Sequence, residues 1–185
     1  MSEADGEDRG GKGRRKRAPR PLGTESLGEL AVHYVARFAT SRAKLGQYLR
    51  RKLKERGWEG PDTPDVDGLV QRLVGQGFID DSAYAEAKAG SLLRRGYGGR
   101  RVNVALSQAG IEEADREGAD HAVETQAFAA ALRFAERKRI GPWARERMER
   151  EERSKALAAM IRAGHGFELS RRIVEALPGD VPEQE

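Results

Sequence analysis

At 185 residues, 38% of them hydrophobic and 35% charged, the chain has apolar surface for thin helical layers but not for one thick core. The absence of cysteine excludes disulfides, thiol nucleophiles and Cys-ligated metals. The formal charge is only +4, and no apolar stretch has the length of a membrane span or the character of a secretory signal, so a cytoplasmic protein is expected.

Residues 1–24 read as a disordered basic tail. Residues 1–22 hold seven Lys/Arg against four acids, clustered between Lys12 and Arg20, with little apolar surface to offset the entropy of ordering. The tail reads either as a solubilising segment or as a weak, salt-sensitive contact to nucleic acid.

From Leu27 the pattern is helical. Leu27, Leu30, Ala31, Tyr34, Val35 and Phe38 share one face. Ser41 reads as the N-cap of a second helix, which Gly57 closes in a left-handed conformation. Beyond Pro61 and Pro64, Val66, Leu69, Val70, Leu73 and Val74 form the stripe of a third helix. The pattern then recurs. Asp80 or Asp81 caps a helix reaching about Arg95, Gly96–Gly99 makes a turn, a second helix closes at Gly110, and a third stretch runs to about Ala122. A third round starts near Val123, continues in a charged helix from Pro142, and finishes with Phe167, Leu169, Ile173, Val174 and Leu177.

Register supports a true repeat. Leu49, Leu53 and Gly57 recur as Val102, Leu106 and Gly110, 53 residues on, and as Ala156, Met160 and Gly164 after a further 54. The fold expected is all-α, with three tandem three-helix repeats (25–78, 79–122 and 123–178) in an elongated array, followed by an acidic tail over 179–185.

The second helix carries seven Lys/Arg against one Glu in residues 42–56. With Leu45, Leu49 and Leu53 buried, Lys44, Arg50, Arg51 and Lys54 point broadly the other way. Together with Arg42 they form either a solvated face or a surface for phosphates or an acidic protein. Arg94, Arg95, Arg100 and Arg101 bracket the Gly96–Gly99 turn and extend that surface. No strand precedes the turn and no Lys-Ser/Thr follows it, so it is not a nucleotide-binding loop. Asp80–Asp81 reads as helix capping rather than a catalytic or metal-binding pair. His33, His121 and His165 are isolated, so no metal site, no catalytic constellation and no cofactor are expected. Tyr34, Phe38 and Phe78 stand at core spacings, and Trp58 and Trp143 read as packing anchors. In 145–153, Glu146–Arg150 and Glu149–Arg153 have the spacing of ion pairs along an exposed helix.

Four blocks, in order over about residues 27–177, resemble the RecX family. The first is Ser41, Arg42 and Leu45 opening a basic helix closed by Gly57. The second is Gly77-Phe78-Ile79-Asp80-Asp81 with Tyr84-Ala85. The third is Gly96–Arg101 leading to Leu106 and Gly110-Ile111, and the fourth is Gly164-His165-Gly166-Phe167. Two features depart from the family pattern: His165 stands where an Arg is expected, and residues 138–154 are longer and more charged. The resemblance implies an elongated monomer of three tandem three-helix units, and with no nucleophile–base constellation or metal cluster visible an enzyme is the weakest reading. The resemblance also implies a role lying along the filament of the recombinase RecA on single-stranded DNA, lowering RecA's recombinase, ATPase and co-protease activities. In that setting the basic helix becomes a partner-binding face, and reversing Arg50, Arg51 and Lys54 to Glu abolishes binding while helicity stays intact. The alternative is a direct DNA-binding protein built on helix-turn-helix-like units.

Overall fold

The computed structural model describes residues 20–184, so the basic run from Lys12 to Arg17 lies outside the described residues. Eight α-helices follow in chain order: α1 (Thr24–Arg37), α2 (Arg42–Arg56), α3 (Val66–Gly75), α4 (Asp81–Arg94), α5 (Gly99–Gln108), α6 (Glu117–Lys138), α7 (Arg150–Arg162) and α8 (Phe167–Glu175). Among the described residues there is no sheet, only an isolated parallel bridge between Leu22 and Trp58.

Short polar side chains start several of these helices by taking up free N–H groups. Ser41 accepts from the Lys44 amide, Asp65 from Gly68 and Asp80 from Ala83. The glycines that mark the repeat end their helices in the left-handed region, with φ of 83° at Gly57, 68° at Gly110 and 98° at Gly164. The buried positions keep the same register: Leu49, Val102, Leu106, Ala156 and Met160 are all in the core.

There are three cores, one for each repeat. The first gathers Leu27, Leu45, Leu49 and Leu73; the second Ala85, Leu93, Val102 and Leu106; the third Phe134, Ile140, Met160 and Ile173. Three triplets make eight helices because α6 serves twice. No Gly or Pro interrupts residues 119–140, and the alanine-rich run continues as one 22-residue helix. Its first half supplies Ala119 and Val123 to the second core, and its second half supplies Ala131, Phe134 and Ala135 to the third. The break expected at 122/123 is therefore absent.

Other details depart from the sequence pattern. Leu22, placed in the tail by composition, is fully buried. Its amide donates to Gly57 O and its carbonyl accepts from Glu59, each at 3.0 Å, so the ordered fold begins before α1. Burying such a side chain contributes about 1.5–3 kcal/mol. The helix expected from Pro142 starts only at Arg150, after a 3-10 turn at Gly141–Trp143, and is opened by a reciprocal Glu149–Glu152 capping box. Glu146 thus precedes the helix, and Glu149 serves as a cap. Phe38 and Phe78 are 53% and 52% exposed rather than in the core. The acidic C-terminal segment is pinned by Gly179 donating to Pro142 O and Arg172 donating to Glu183 O.

The middle helices α2, α5 and α7 meet end to end. At the joint between repeats 1 and 2, the Ser41 hydroxyl at the start of α2 donates to Ala109 O at the end of α5. At the joint between repeats 2 and 3, Gly98 at the start of α5 donates to Ala163 O and Arg100 to Gly164 O, at 3.0 and 3.1 Å. Each contact sets the positive end of one helix dipole against the negative end of the next and satisfies carbonyls that the helix leaves unpaired. The corresponding end of α2, at Gly57, is covered by Leu22, which acts as a cap for the array.

Candidate functional site

The nine basic residues singled out by sequence separate into two groups according to their acidic partners. Arg42 is committed to the first joint. Its backbone amide and Nε donate to the two Asp81 oxygens at 2.9 and 3.0 Å, and Nη2 donates to Asp115. The hydrogen bond it donates to Asp81 is the main reason its guanidinium is held above the usual arginine range. Arg50 pairs with Asp67 of α3, and Arg51 lies 3.7 Å from Glu55.

Lys44, Lys54, Arg94, Arg95, Arg100 and Arg101 have no ion pair with another described residue. Lys44 instead donates to the Tyr84 hydroxyl at 2.7 Å. The four arginines of the turn are all exposed. Arg95 and Arg101 flank the Tyr97 ring, at 5.3 and 5.6 Å from its centroid, and this holds both guanidinium groups in place. Arg137, which sequence reasoning missed, joins them by donating to the Arg95 carbonyl. It is 42 residues away on α6, and no local spacing signals its arrival. Five cations around one turn, none in an ion pair with a carboxylate of the described residues, make a surface suited to a polyanion.

The glycines of this turn do not cradle a phosphate. The amides of Gly98 and Arg100 are occupied by Ala163 and Gly164. A Cβ on Gly98 would lie 2.3 Å from Gly164 O, so glycine is required for the close approach of the two repeats. What the turn presents to solvent is therefore its arginine side chains rather than these amides.

The other sequence candidates are structural. Asp80 caps α4, and Asp81 holds Arg42. His165 is buried in the second joint with Nε2 3.1 Å from Gly96 O and its ring against Phe134, and desolvation lowers its pKa. Trp58 donates to Asp62 O and packs on the first core, and Trp143 packs on the third. Among the described residues, no group of three His, Cys, Asp or Glu side chains could hold a metal ion, and no helix is long and apolar enough to cross a membrane.

Known proteins resemble this chain in sequence and fold. Residues 80–119 fit the family described as RecX, second three-helix domain. The regulatory protein RecX of Myxococcus xanthus is 33% identical over 96% of this chain and 100% of its own length. That of Mycobacterium sp. strain KMS is 33% identical over 72% of this chain and 68% of its own. Two crystal structures share the fold. A regulatory protein RecX superposes with a TM-score of 0.59 at 23% identity, covering 81% of this chain and 72% of the other. RecX from Lactobacillus salivarius gives 0.58 at 17% identity, covering 82% and 94%. With a full-length relative at this level of identity and the same all-helical architecture, the chain belongs to the RecX family of regulatory proteins.

Proposed function

We propose that this protein binds the RecA filament on single-stranded DNA and restrains it, lowering recombinase, ATPase and co-protease activity in DNA repair and the SOS response. The observation that carries this reading is the group of exposed arginines at the Gly96–Gly99 turn, Arg94, Arg95, Arg100 and Arg101, none with an acidic partner among the described residues. Clustered cations repel one another, and a nearby line of phosphates relieves that repulsion while releasing counterions. Lys44 and Lys54 on α2 are further cations with no ion pair among the described residues. Family membership supports a regulatory role, and the relatives are named as regulatory proteins rather than enzymes.

The test is RecA's DNA-dependent ATPase on single-stranded DNA, with this protein titrated in moderate salt. Inhibition well below one copy per RecA supports a filament-bound regulator, because simple competition for DNA needs far more protein. No inhibition, together with tight binding to bare duplex, replaces this reading with direct DNA binding. The same arginines favour that second reading, since they suit any phosphate backbone.

A further inference from the structure

An open groove of about 490 Å³ lies between the first two repeats, on the surface of α4. Its floor includes Ala83 and Ala87, both exposed and one turn apart, and Tyr84 lies between them. Phe78 forms one wall and is 52% exposed. The chain at Ala39 and Thr40 forms another. A large aromatic side chain left half in water in a largely apolar groove marks a binding surface rather than ordinary surface scatter.

Cations outnumber carboxylates around the groove. Lys88 lines it, and Lys44 reaches in from α2, 5.2 Å over the Tyr84 ring. Asp80 also lines it, but its carboxylate caps the start of α4, where it accepts from the Ala83 amide at 2.8 Å. The ring faces are already in use: Lys44 covers Tyr84, Arg51 and Lys52 sit over Tyr48, and Tyr48 stacks on Tyr34 at 4.2 Å. A base stacking on the Tyr84 ring would have to displace Lys44, whereas apolar side chains need only the alanine floor and the exposed Phe78.

We propose that this groove is a protein-docking site that takes an amphipathic segment whose apolar face is flanked by Asp or Glu. The inference rests on the filament reading above, because a coated strand presents protein and DNA together. The arginine turn then meets phosphates, and the groove meets the protein that coats them.

The experiment compares the full chain with Lys88→Glu, Lys88→Arg and Phe78→Ser, each checked for native helicity. Binding is measured to a labelled oligo-dT strand, bare and coated with RecA. The expected result is a wild-type preference for the coated strand, a loss of about tenfold on that strand alone for Lys88→Glu and Phe78→Ser, and retention for Lys88→Arg. A wild-type preference that survives in both Lys88→Glu and Phe78→Ser overturns the groove proposal and leaves the filament reading standing. Equal losses on bare and coated strands overturn it in favour of a nucleic-acid groove. A wild-type chain with no preference for coated strands overturns the filament reading itself.

Discussion

At the first joint, side chains bridge the repeats: the Ser41 hydroxyl reaches Ala109, and Arg42 links Asp81 to Asp115. At the second joint backbone does most of it, with Gly98 and Gly164 lying against each other, while His165 reaches across to the Gly96 carbonyl and Arg137 to that of Arg95. Both joints solve one problem, the unpaired groups at facing helix ends, but they fail in different ways. A side-chain joint weakens by a lost hydrogen bond or a stranded charge. A backbone joint fails by steric exclusion, since nothing between the two chains can move aside.

Sterics gives the larger predicted effect. A Cβ at residue 164 would lie 2.5 Å from the Arg101 amide nitrogen, on a residue whose φ is 98°. Gly164→Ala is expected to cost about 3 kcal/mol or more, read as a lower urea midpoint with an unchanged slope. A wild-type midpoint would mean that repeats 2 and 3 do not touch here.

Asp81→Ala comes next. The Asp81 side chain is 2% exposed and that of Arg42 31%, so solvent screens the charge left behind in part. A loss of about 2 kcal/mol is expected, below that of a fully buried pair. Adding Arg42→Met should recover part of it, and strict additivity in that cycle would show that the pair is not coupled.

A smaller, pH-dependent effect distinguishes the second joint. Burial lowers the pKa of His165, so below the ordinary histidine value the unfolded chain takes up a proton that the folded chain resists. This contribution is fully present above about pH 6.5 and is lost as pH falls from there through the lower folded pKa. His165→Gln should flatten the melting temperature against pH in that window, and an unaltered slope would remove His165 from the joint's energetics. The smallest effect belongs to α2: Arg50 and Asp67 are both exposed, and Arg50→Ala should cost under about 0.5 kcal/mol in urea unfolding.

What local sequence encodes and what it does not follows the same division. The Ser41 cap, the left-handed glycines and the stripe Leu45–Leu49 depend on neighbours within a turn or two, and periodicity and capping chemistry show them directly. The continuity of α6 was hidden because the two repeats share a helix, so a boundary drawn from repeat spacing fell inside an unbroken alanine-rich run. Phe38 and Phe78 have core spacing, yet a helical stripe says only which face is apolar and not whether a neighbour covers its edge. The basic surface divides for a similar reason. Nothing near Arg42 shows that Asp81 and Asp115, 39 and 73 residues on, will take its charge, or that Arg137 will arrive beside Arg95.

That division among the basic residues is the central claim, and paired charge reversals test it most directly. One variant carries Glu at Arg94, Arg95, Arg100 and Arg101, and the other at Arg50, Arg51 and Lys54. Both are titrated against RecA's ATPase on single-stranded DNA after circular dichroism confirms their helicity. Reversing the turn is expected to abolish inhibition, while reversing the helix, where Arg50 and Arg51 already have acidic neighbours, is expected to leave the greater part of it. Wild-type inhibition by the turn variant, or complete loss confined to the helix variant, would contradict that division.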